Sequence, residues 1–570
     1  MVKTKPAFIA TNSASIRRYS WFLLLIAGLG GLLYGIDVGI IAAALLYLSK
    51  TISLTVWQTS FIVAAVLGGG MFSSLVGGVL ADLFGRKAMM IVSGLMFVAS
   101  VGLIVFSQGF APLFIGRLLQ GMSGGVIAVV VPLYLAECLS ANNRGRGTAI
   151  FQFALTFGIV CAALIGWYYT RQAETAIAQA AGNHALILAA QNHAWRSMFL
   201  TIVYPGLFFF LGAFALSETP RWLLLRGRVD EALAALRRST PEEEAQLELT
   251  EMQALAKENN KAKAAGTAGS LLRRKYVIPF VLACAIMVLN QTTGINSVLG
   301  FLVIILRQAG MTASHATQGD VAVKMLNCVM TLVAVALVDR KGRTFLLRIG
   351  TAGVVIALVS AGVLFIGAES GRSDVRDKIE AAQVGNTVTL PISATTLGSA
   401  SGTNRPMALT VLYSYGDGDH VATVLSDAPD AVLTLTPDAK TANAPLRIKR
   451  ARYGPVPSEK VGWLITACLA LFMASYSVGP GVVVWLAMSE LMPTRIRSIG
   501  MGVSLLLNQG AATLIAAVFL PVVGNYGYAA MFFFWAGCTV IYFVTAAFFL
   551  PETKGKTLEE IEMHFAGGAK

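Results

Sequence analysis

Twelve stretches of this chain are apolar almost from end to end, each long enough to matter in only one setting. A bilayer core is crossed by roughly 20 apolar residues in a helix. Lipid offers no partner to a bare backbone group, so a spanning segment is either a helix or a strand of a closed barrel. Barrel strands alternate apolar with polar residues, and these blocks do not. The chain therefore reads as an all-α membrane protein. Composition points the same way: 56% of the 570 residues are hydrophobic and 13% are charged, where a soluble protein carries about 25% charged.

The spans fall near 21–47, 57–81, 87–108, 112–137, 147–169 and 196–216, then 276–306, 320–338, 345–367, 461–489, 498–521 and 527–550. This divides the chain into a first six-helix half (1–217), a cytoplasmic linker with helices (218–275), a second six-helix half (276–550) and a cytoplasmic tail (551–570). Residues 368–460 form an extracytoplasmic insertion in the second half. The first apolar stretch is too long for a signal peptide and reads as a retained span 1.

The net charge of +14 suggests nucleic acid at first sight, but the basic residues do not gather on one soluble face. They occupy alternate loops: Arg17 and Arg18, Arg86 and Lys87, Arg144 and Arg146, Arg221, Arg226 and Arg228, Arg340, Lys341 and Arg343, Arg495 and Arg497, Lys554 and Lys556. That pattern marks the cytoplasmic side and puts both termini there. It makes the lipid bilayer the chain's partner and nucleic acid none. Cys161, Cys284, Cys328, Cys468 and Cys538 lie inside spans and Cys138 at the end of one, so no disulfide framework is expected. No metal-ligand spacing occurs. No Gly-Lys-Ser/Thr follows the glycines, so no ATP and no cofactor is called for.

The halves repeat each other. Asp82, Gly85 and Arg86 after span 2 match Asp339, Gly342 and Arg343 after span 8. Glu137 precedes Arg144 by seven residues after span 4, as Glu490 precedes Arg497 after span 10. SETPRWLLLRGR after span 6, with Glu218 and Arg221, matches LPETKGKTLEEIE after span 12. The spacing between partners rises from 257 to 353 residues and then falls to 334. The second half has therefore gained its insertion between spans 8 and 10. The first half has gained a smaller one, RQAETAIAQAAGNHALILAAQNHAW, between spans 5 and 6. Paired six-helix repeats with a midplane site between them are the layout of a rocking transporter. Each repeated motif sets a carboxylate and an arginine at a cytoplasmic helix end. Asp82, Arg86, Glu137, Arg144, Glu218, Arg221, Asp339, Arg343, Glu490 and Arg497 are expected to gate: linked while the outside is open, released when it closes.

With these motifs the sequence resembles the sugar porters of the major facilitator superfamily. The resemblance rests on GGLLYGIDVGII, GGVLADLFGRK, GRLLQGMSGG with PLYLAECLSANNRGRG, ETPRWLLLRGR, NQTTGIN, GPGVVVWLAMSELMPTRIRS and PETKGKTLEEIE. It implies the major facilitator fold, alternating access, and a hexose, pentose or polyol as cargo. It also implies a plasma membrane, here the inner membrane of a bacterium, and a monomer as the working unit.

Two charges sit well inside spans: Asp37 in span 1 and Arg117 in span 4. By rise per residue their depths agree within one or two turns, which allows them to be partners facing the bundle interior. An unpaired charge in lipid costs roughly 3 kcal/mol on insertion scales. A static salt bridge is the plain reading. The functional one is a proton switch, because a carboxylate that loses its arginine becomes easier to protonate. The resemblance implies the second, since proton-coupled sugar porters carry an aspartate and an arginine at these places.

A sugar offers hydroxyls that both donate and accept, and uncharged amides answer them without burying an ion. Gln152, Asn290, Gln291, Asn296, Asn327, Asn508 and Gln509 lie in spans, and Trp485 follows the helix-breaking Gly479-Pro480-Gly481. By resemblance, Gln152, Gln291, Asn296, Asn327, Trp485 and Asn508 stand where the family contacts sugar. Asn290, Ile159, the Gly300-Phe301 pair and Gln509 depart from the family's usual residues, so no single sugar is named. Glycines such as Gly68–Gly70, Gly121, Gly124 and Gly125 read as close helix contacts.

NTVTLPISATTL, ALTVLYSY and AVLTLTP read as strands of a small β-rich cap in the insertion, with turns at Gly416–Asp419 and Pro429-Asp430. Asp417, Asp419, Asp427 and Asp430 lack the spacing of a calcium loop. The expected activity is proton-coupled symport of a monosaccharide. The alternatives are a facilitative carrier and a sugar sensor, the latter expected to need a longer cytoplasmic tail. No nucleophile–base pair suggests an enzyme.

Overall fold

The computed structural model describes residues 13–139, 141–264, 274–392, 394–397, 407–426, 432–437, 441, 444–492, 497–554, 556, 560, 561 and 565. Twelve of its helices are long and apolar enough to cross a membrane. They are Ala14–Gly39, Val56–Phe84, Arg86–Val105, Phe110–Cys138, Ala149–Gln179 and His184–Ala215, then Tyr276–Gln308, Ala313–Val338, Arg343–Ser370, Glu459–Leu491, Gly500–Tyr526 and Tyr528–Phe549. With an even number of crossings, the start of span 1 and the end of span 12 lie on one face of the bundle, with the basic loops. The insertion lies on the other.

Several boundaries differ from expectation for physical reasons. Span 1 starts in the polar segment before Trp21 and ends at Gly39, where the chain turns at Ile40 into a separate helix, Ile41–Thr51. The segment expected between spans 5 and 6 is no loop: both helices run on through it to a tight turn at 180–183. That turn uses positive φ at Ala181 and Gly182, and the Asn183 side chain caps the next helix by accepting from the amides of Ala185 and Leu186. The extended hairpin holds the helix Ile41–Thr51, since Tyr47 donates to Glu174 at 2.8 Å and the Trp195 indole donates to Thr51 at 2.9 Å.

Small residues set the closest helix contacts, because without a hydrophobic drive in lipid the backbones themselves must meet. A Cβ on Gly35 would lie 1.9 Å from the Leu155 carbonyl of span 5, and one on Gly121 would lie 2.0 Å from the Val66 carbonyl of span 2. In the second half Gly350 of span 9 faces Gly479 of span 10, where Ser477–Gly481 forms a π-helical turn around Pro480. Proline removes a backbone donor and bends the helix there.

The two halves are joined toward the insertion face. Ile41–Thr51 packs on Ile295–Gln308, and a Cβ on Gly300 would lie 2.8 Å from Val63. The Leu520 amide of span 11 donates to Ser60 of span 2 at 3.3 Å. One apolar core carries residues of both halves here, including Ile41, Leu45, Val63, Val298, Leu302 and Phe519. A second core, with Met287, Leu347, Val484 and Leu491, draws only on spans 7–12.

The insertion is a small β unit with a core of its own, including Ile379, Val388, Leu409, Leu433 and Tyr453. Its strands are β1 Ser373–Asp374, β2 Gln383–Val384, β3 Thr387–Pro391, β4 Met407–Ser414, β5 Asp419–Leu425, β6 Val432–Leu435 and β7 Arg447–Pro455. They form an antiparallel sheet ordered β1-β7-β4-β5, with Leu409 opposite Tyr453, and a second sheet ordered β2-β3-β6. β7 was hidden in the sequence because its arginines face out while Ile448, Ala451 and Tyr453 face in. Ala394–Leu397, expected as strand, is a helical turn. Asp419 pairs with Lys449 and Asp417 with His420; Asp427, Pro429 and Asp430 lie outside the described residues.

Candidate functional site

Asp37 and Arg117 are both buried where spans 1 and 4 meet. Gly124 makes the room: a Cβ there would lie 3.3 Å from Asp37 Oδ2 and 2.9 Å from the Tyr34 ring. The expected salt bridge is not what forms. Both terminal nitrogens of Arg117 lie 3.5 Å from the main-chain oxygen of Asp37, and Nη1 donates to Gln120 Oε1 at 2.6 Å. The guanidinium also sits 5.7 Å from the Phe199 ring centroid. Neither carboxylate oxygen of Asp37 has a hydrogen-bond partner. Gln120, one turn along span 4, takes the guanidinium's shortest bond, and sequence reasoning missed it.

The amides gather mostly in the second half. Span 7 breaks at Thr293-Gly294, and Gly294 adopts φ +83. Trp535 covers it so closely that a Cβ would sit 2.3 Å from the indole, so only glycine fits. The break brings Asn296, at the start of the second segment, to donate to Gln291 Oε1 at 2.6 Å. Gln291 donates to Asn508 Oδ1 at 3.2 Å, and Asn508 donates to the Met287 carbonyl at 2.7 Å. Asn327 of span 8 accepts from Ser477 at 2.6 Å, inside the π turn of span 10. Asn290 is buried with neither amide atom partnered. Gln509 lies across from Gly70 of the first half. Gln152 and Trp485 are exposed, Trp485 at 41%, and are not drawn into the amide network. Gly300 and Phe301, the departures in span 7, are structural: the glycine admits Val63, and Phe301 stacks on Phe519 at 4.6 Å between centroids.

At the basic face each half builds the same clamp. Arg86 lies 3.1 Å from Glu137 and 2.8 Å from Asp82, while the amides of Arg86 and Lys87 donate to Glu218. Thr219 donates to Glu137 at 2.7 Å. In the second half Arg343 lies 2.9 Å from Glu490, the amides of Arg343 and Thr344 donate to Glu552, and Thr553 donates to Glu490 at 2.6 Å. Gly85 and Gly342, both at positive φ, let each glutamate approach. Burial works to raise the Glu552 carboxyl, but the amides of Lys554, Arg343, Thr344 and Thr553 outweigh it and hold it below the ordinary glutamate range. Thr219 and Thr553 were missed, though both follow the repeated glutamate directly in the sequence. Arg221 is exposed and bonds to nothing among the described residues, whereas Arg226 donates to the Leu83 carbonyl at 2.7 Å. The side chains of Arg144, Asp339 and Arg497 lie outside the described residues. In this structure the clamps of both halves are formed, each within its own half. In each half one glutamate takes the main-chain amides, and the other takes the arginine and the threonine hydroxyl.

Span 8 also carries a buried pair that the sequence reading did not single out, Asp320 and Lys324, 2.8 Å apart. The polar run before it delayed the expected start of the span to 320, which left both charges at an apparent helix end.

The sugar (and other) transporter family profile matches residues 23–388 and 450–565. The chain is 28% identical over 565 residues to inositol transporter 4 of Arabidopsis thaliana, covering 97% of this chain and 93% of the relative. It is 25% identical over 544 residues to a probable metabolite transport protein of Bacillus subtilis, covering 95% and 94%. A proton myo-inositol cotransporter of Homo sapiens is 25% identical over 564 residues, covering 96% and 82%. Among solved structures, the inward open conformation of the E. coli xylose transporter XylE superposes with a TM-score of 0.67 at 20% identity, over 95% of this chain and 99% of that one. Twelve spans in two repeats, the repeated clamps and a profile match over most of the length lead to one statement: this chain belongs to the sugar (and other) transporter family.

Proposed function

We propose that the protein carries a monosaccharide or polyol together with a proton, by alternating access. The buried Asp37 carboxyl supports this most directly. It has no hydrogen-bond donor, and its arginine is engaged with Gln120 and with the main chain. In this reading Asp37 carries the proton, and the approach of the Arg117 guanidinium to the carboxylate favours its release.

The cargo meets Gln291, Asn296 and Asn508, whose amides already bond to one another and exchange those bonds for sugar hydroxyls. Asn290, Asn327, Gln152, Gln509 and Trp485 complete the wall. The relatives include carriers named for inositol, so polyols stand beside hexoses and pentoses as candidates. The clamps around Arg86 and Arg343 keep each half rigid while the halves rock, with the basic face cytoplasmic and the monomer as the working unit.

Uptake of labelled xylose, glucose and myo-inositol into proteoliposomes, with and without an inward proton gradient, tests this reading. Accumulation that needs the gradient is expected. Equal equilibration with and without it identifies an uncoupled carrier instead.

A further inference from the structure

Asp320 and Lys324 take no part in the mechanism above. They stand one turn apart on span 8, and both are fully buried. Lys324 Nζ lies 2.8 Å from Asp320 Oδ2 and donates to a second acceptor, the main-chain carbonyl of Gly39, at 3.1 Å. Gly39 belongs to the other half. It is the last residue of the first helix, before the turn at Ile40, and two residues beyond Asp37. Carbonyls at a helix end lack intrahelical donors, and that end of the helix dipole attracts a cation. The ammonium thus answers a need that the break in span 1 creates. The contact sits under the apolar seam of Ile41, Leu45, Val298 and Leu302 that joins the halves toward the insertion face.

The two bonds of Lys324 differ in what they survive. Asp320 shares its helix, so that pair persists however the halves move. The Gly39 bond spans the halves and is lost when they part. We infer that Lys324 is a latch that holds the insertion face closed through the Gly39 carbonyl, with Asp320 keeping the ammonium neutralised when the latch lets go. Without Asp320, a released lysine would be an unpaired charge at membrane depth. This inference rests on the alternating-access reading, because a latch matters only if that face opens.

The test places spin labels on cysteines introduced at Trp57 and Tyr526, exposed residues at the insertion-face ends of spans 2 and 11, in a chain whose six native cysteines are replaced by alanine. Double electron–electron resonance then reads the ratio of closed to open protein. In Asp320→Asn/Lys324→Met the ratio should fall about tenfold, equivalent to about 1.4 kcal/mol. The swap Asp320→Lys/Lys324→Asp preserves the pair and its neutrality but moves the ammonium a turn away from Gly39. It should shift the ratio in the same direction. A swapped protein that elutes and melts like the parent and keeps the parent's distances overturns the latch, and so does an unchanged folded double variant. Uptake by the parent is read in parallel, so a failed transport reading shows as a parent that moves no sugar or polyol, whatever the distances do.

Discussion

In the first half the clamp arginine is nearly enclosed: the Arg86 side chain is 6% exposed and its partner Glu137 5%. In the second, Arg343 is 13% exposed and Glu490 23%, with the same threonine and the same pair of main-chain amides around them. The scaffold is duplicated down to single hydrogen bonds. Toward the middle of the membrane the halves part company. The first holds Asp37 and Arg117 where span 1 meets span 4, and the second holds the Gln291–Asn296–Asn508 network and the Asn327–Ser477 bond. Duplication thus preserved the contacts that join the helices within each six-helix unit, while the side chains toward the middle differ between the units. We read this as proton handling on one side of the interface and cargo recognition largely on the other.

The two clamps should differ in what their loss costs. Arg86→Ala strands Glu137 in a buried site and should cost about 3 kcal/mol, seen as a large drop in melting temperature in detergent. Arg343→Ala leaves a more exposed glutamate and should cost about 1 kcal/mol. Equal losses would mean that burial does not separate the clamps.

The division of labour predicts a smaller effect at Gln291. Gln291→Ala removes the centre of a three-amide network and should weaken sugar or polyol binding about tenfold, as loss of a hydrogen bond worth about 1.4 kcal/mol does. Its melting temperature should change less than that of Arg86→Ala. Binding isotherms of the purified variant check this, and unaltered affinity removes Gln291 from the site.

Glu552 gives the second clamp a pH dependence. Its folded carboxyl is held below the ordinary glutamate range, so the unfolded chain takes up protons first as pH falls. The stabilisation is complete above the ordinary range and is lost as pH falls through the folded value. Glu552→Gln should therefore narrow the gap in melting temperature between neutral and acid pH. A gap equal to that of the parent would place the sensitivity elsewhere.

The smallest effect is expected from the insertion. Its own core makes it a separate unit, though Arg450 donates to the Gly524 and Asn525 carbonyls and Gly418 abuts Thr55 of the first half. Replacing 372–456 with a short Gly/Ser linker should leave uptake largely intact. Loss of uptake in a correctly inserted variant would make the cap part of the cycle.

Much of this architecture was legible because lipid leaves few choices. The twelve spans followed from hydropathy, and Gly69, Gly121 and Gly125, legible as close helix contacts, lie where spans 2 and 4 meet. What stayed hidden depended on contacts between distant segments. The polar helices beyond span 5 and before span 6 are held by Tyr47 and Thr51, which no local pattern reports. Similar depth suggested that Asp37 and Arg117 meet, but depth says nothing of Gln120 competing for the guanidinium. The apolar gaps between arginines in β7 line a core only once β4 lies beside it. Lys324 acquires a meaning from Gly39, 285 residues away.

The most direct test of the account is sugar-dependent proton entry into proteoliposomes holding Asp37→Asn. The amide keeps the shape of the side chain and removes its titration. One proton moving inward gains about 2.3 kcal/mol per 100 mV, and a parent protein coupled one to one turns this into roughly fifty-fold accumulation. Asp37→Asn is expected to abolish proton entry and accumulation while still binding and exchanging the cargo. Concentrative, proton-driven uptake by Asp37→Asn would contradict it.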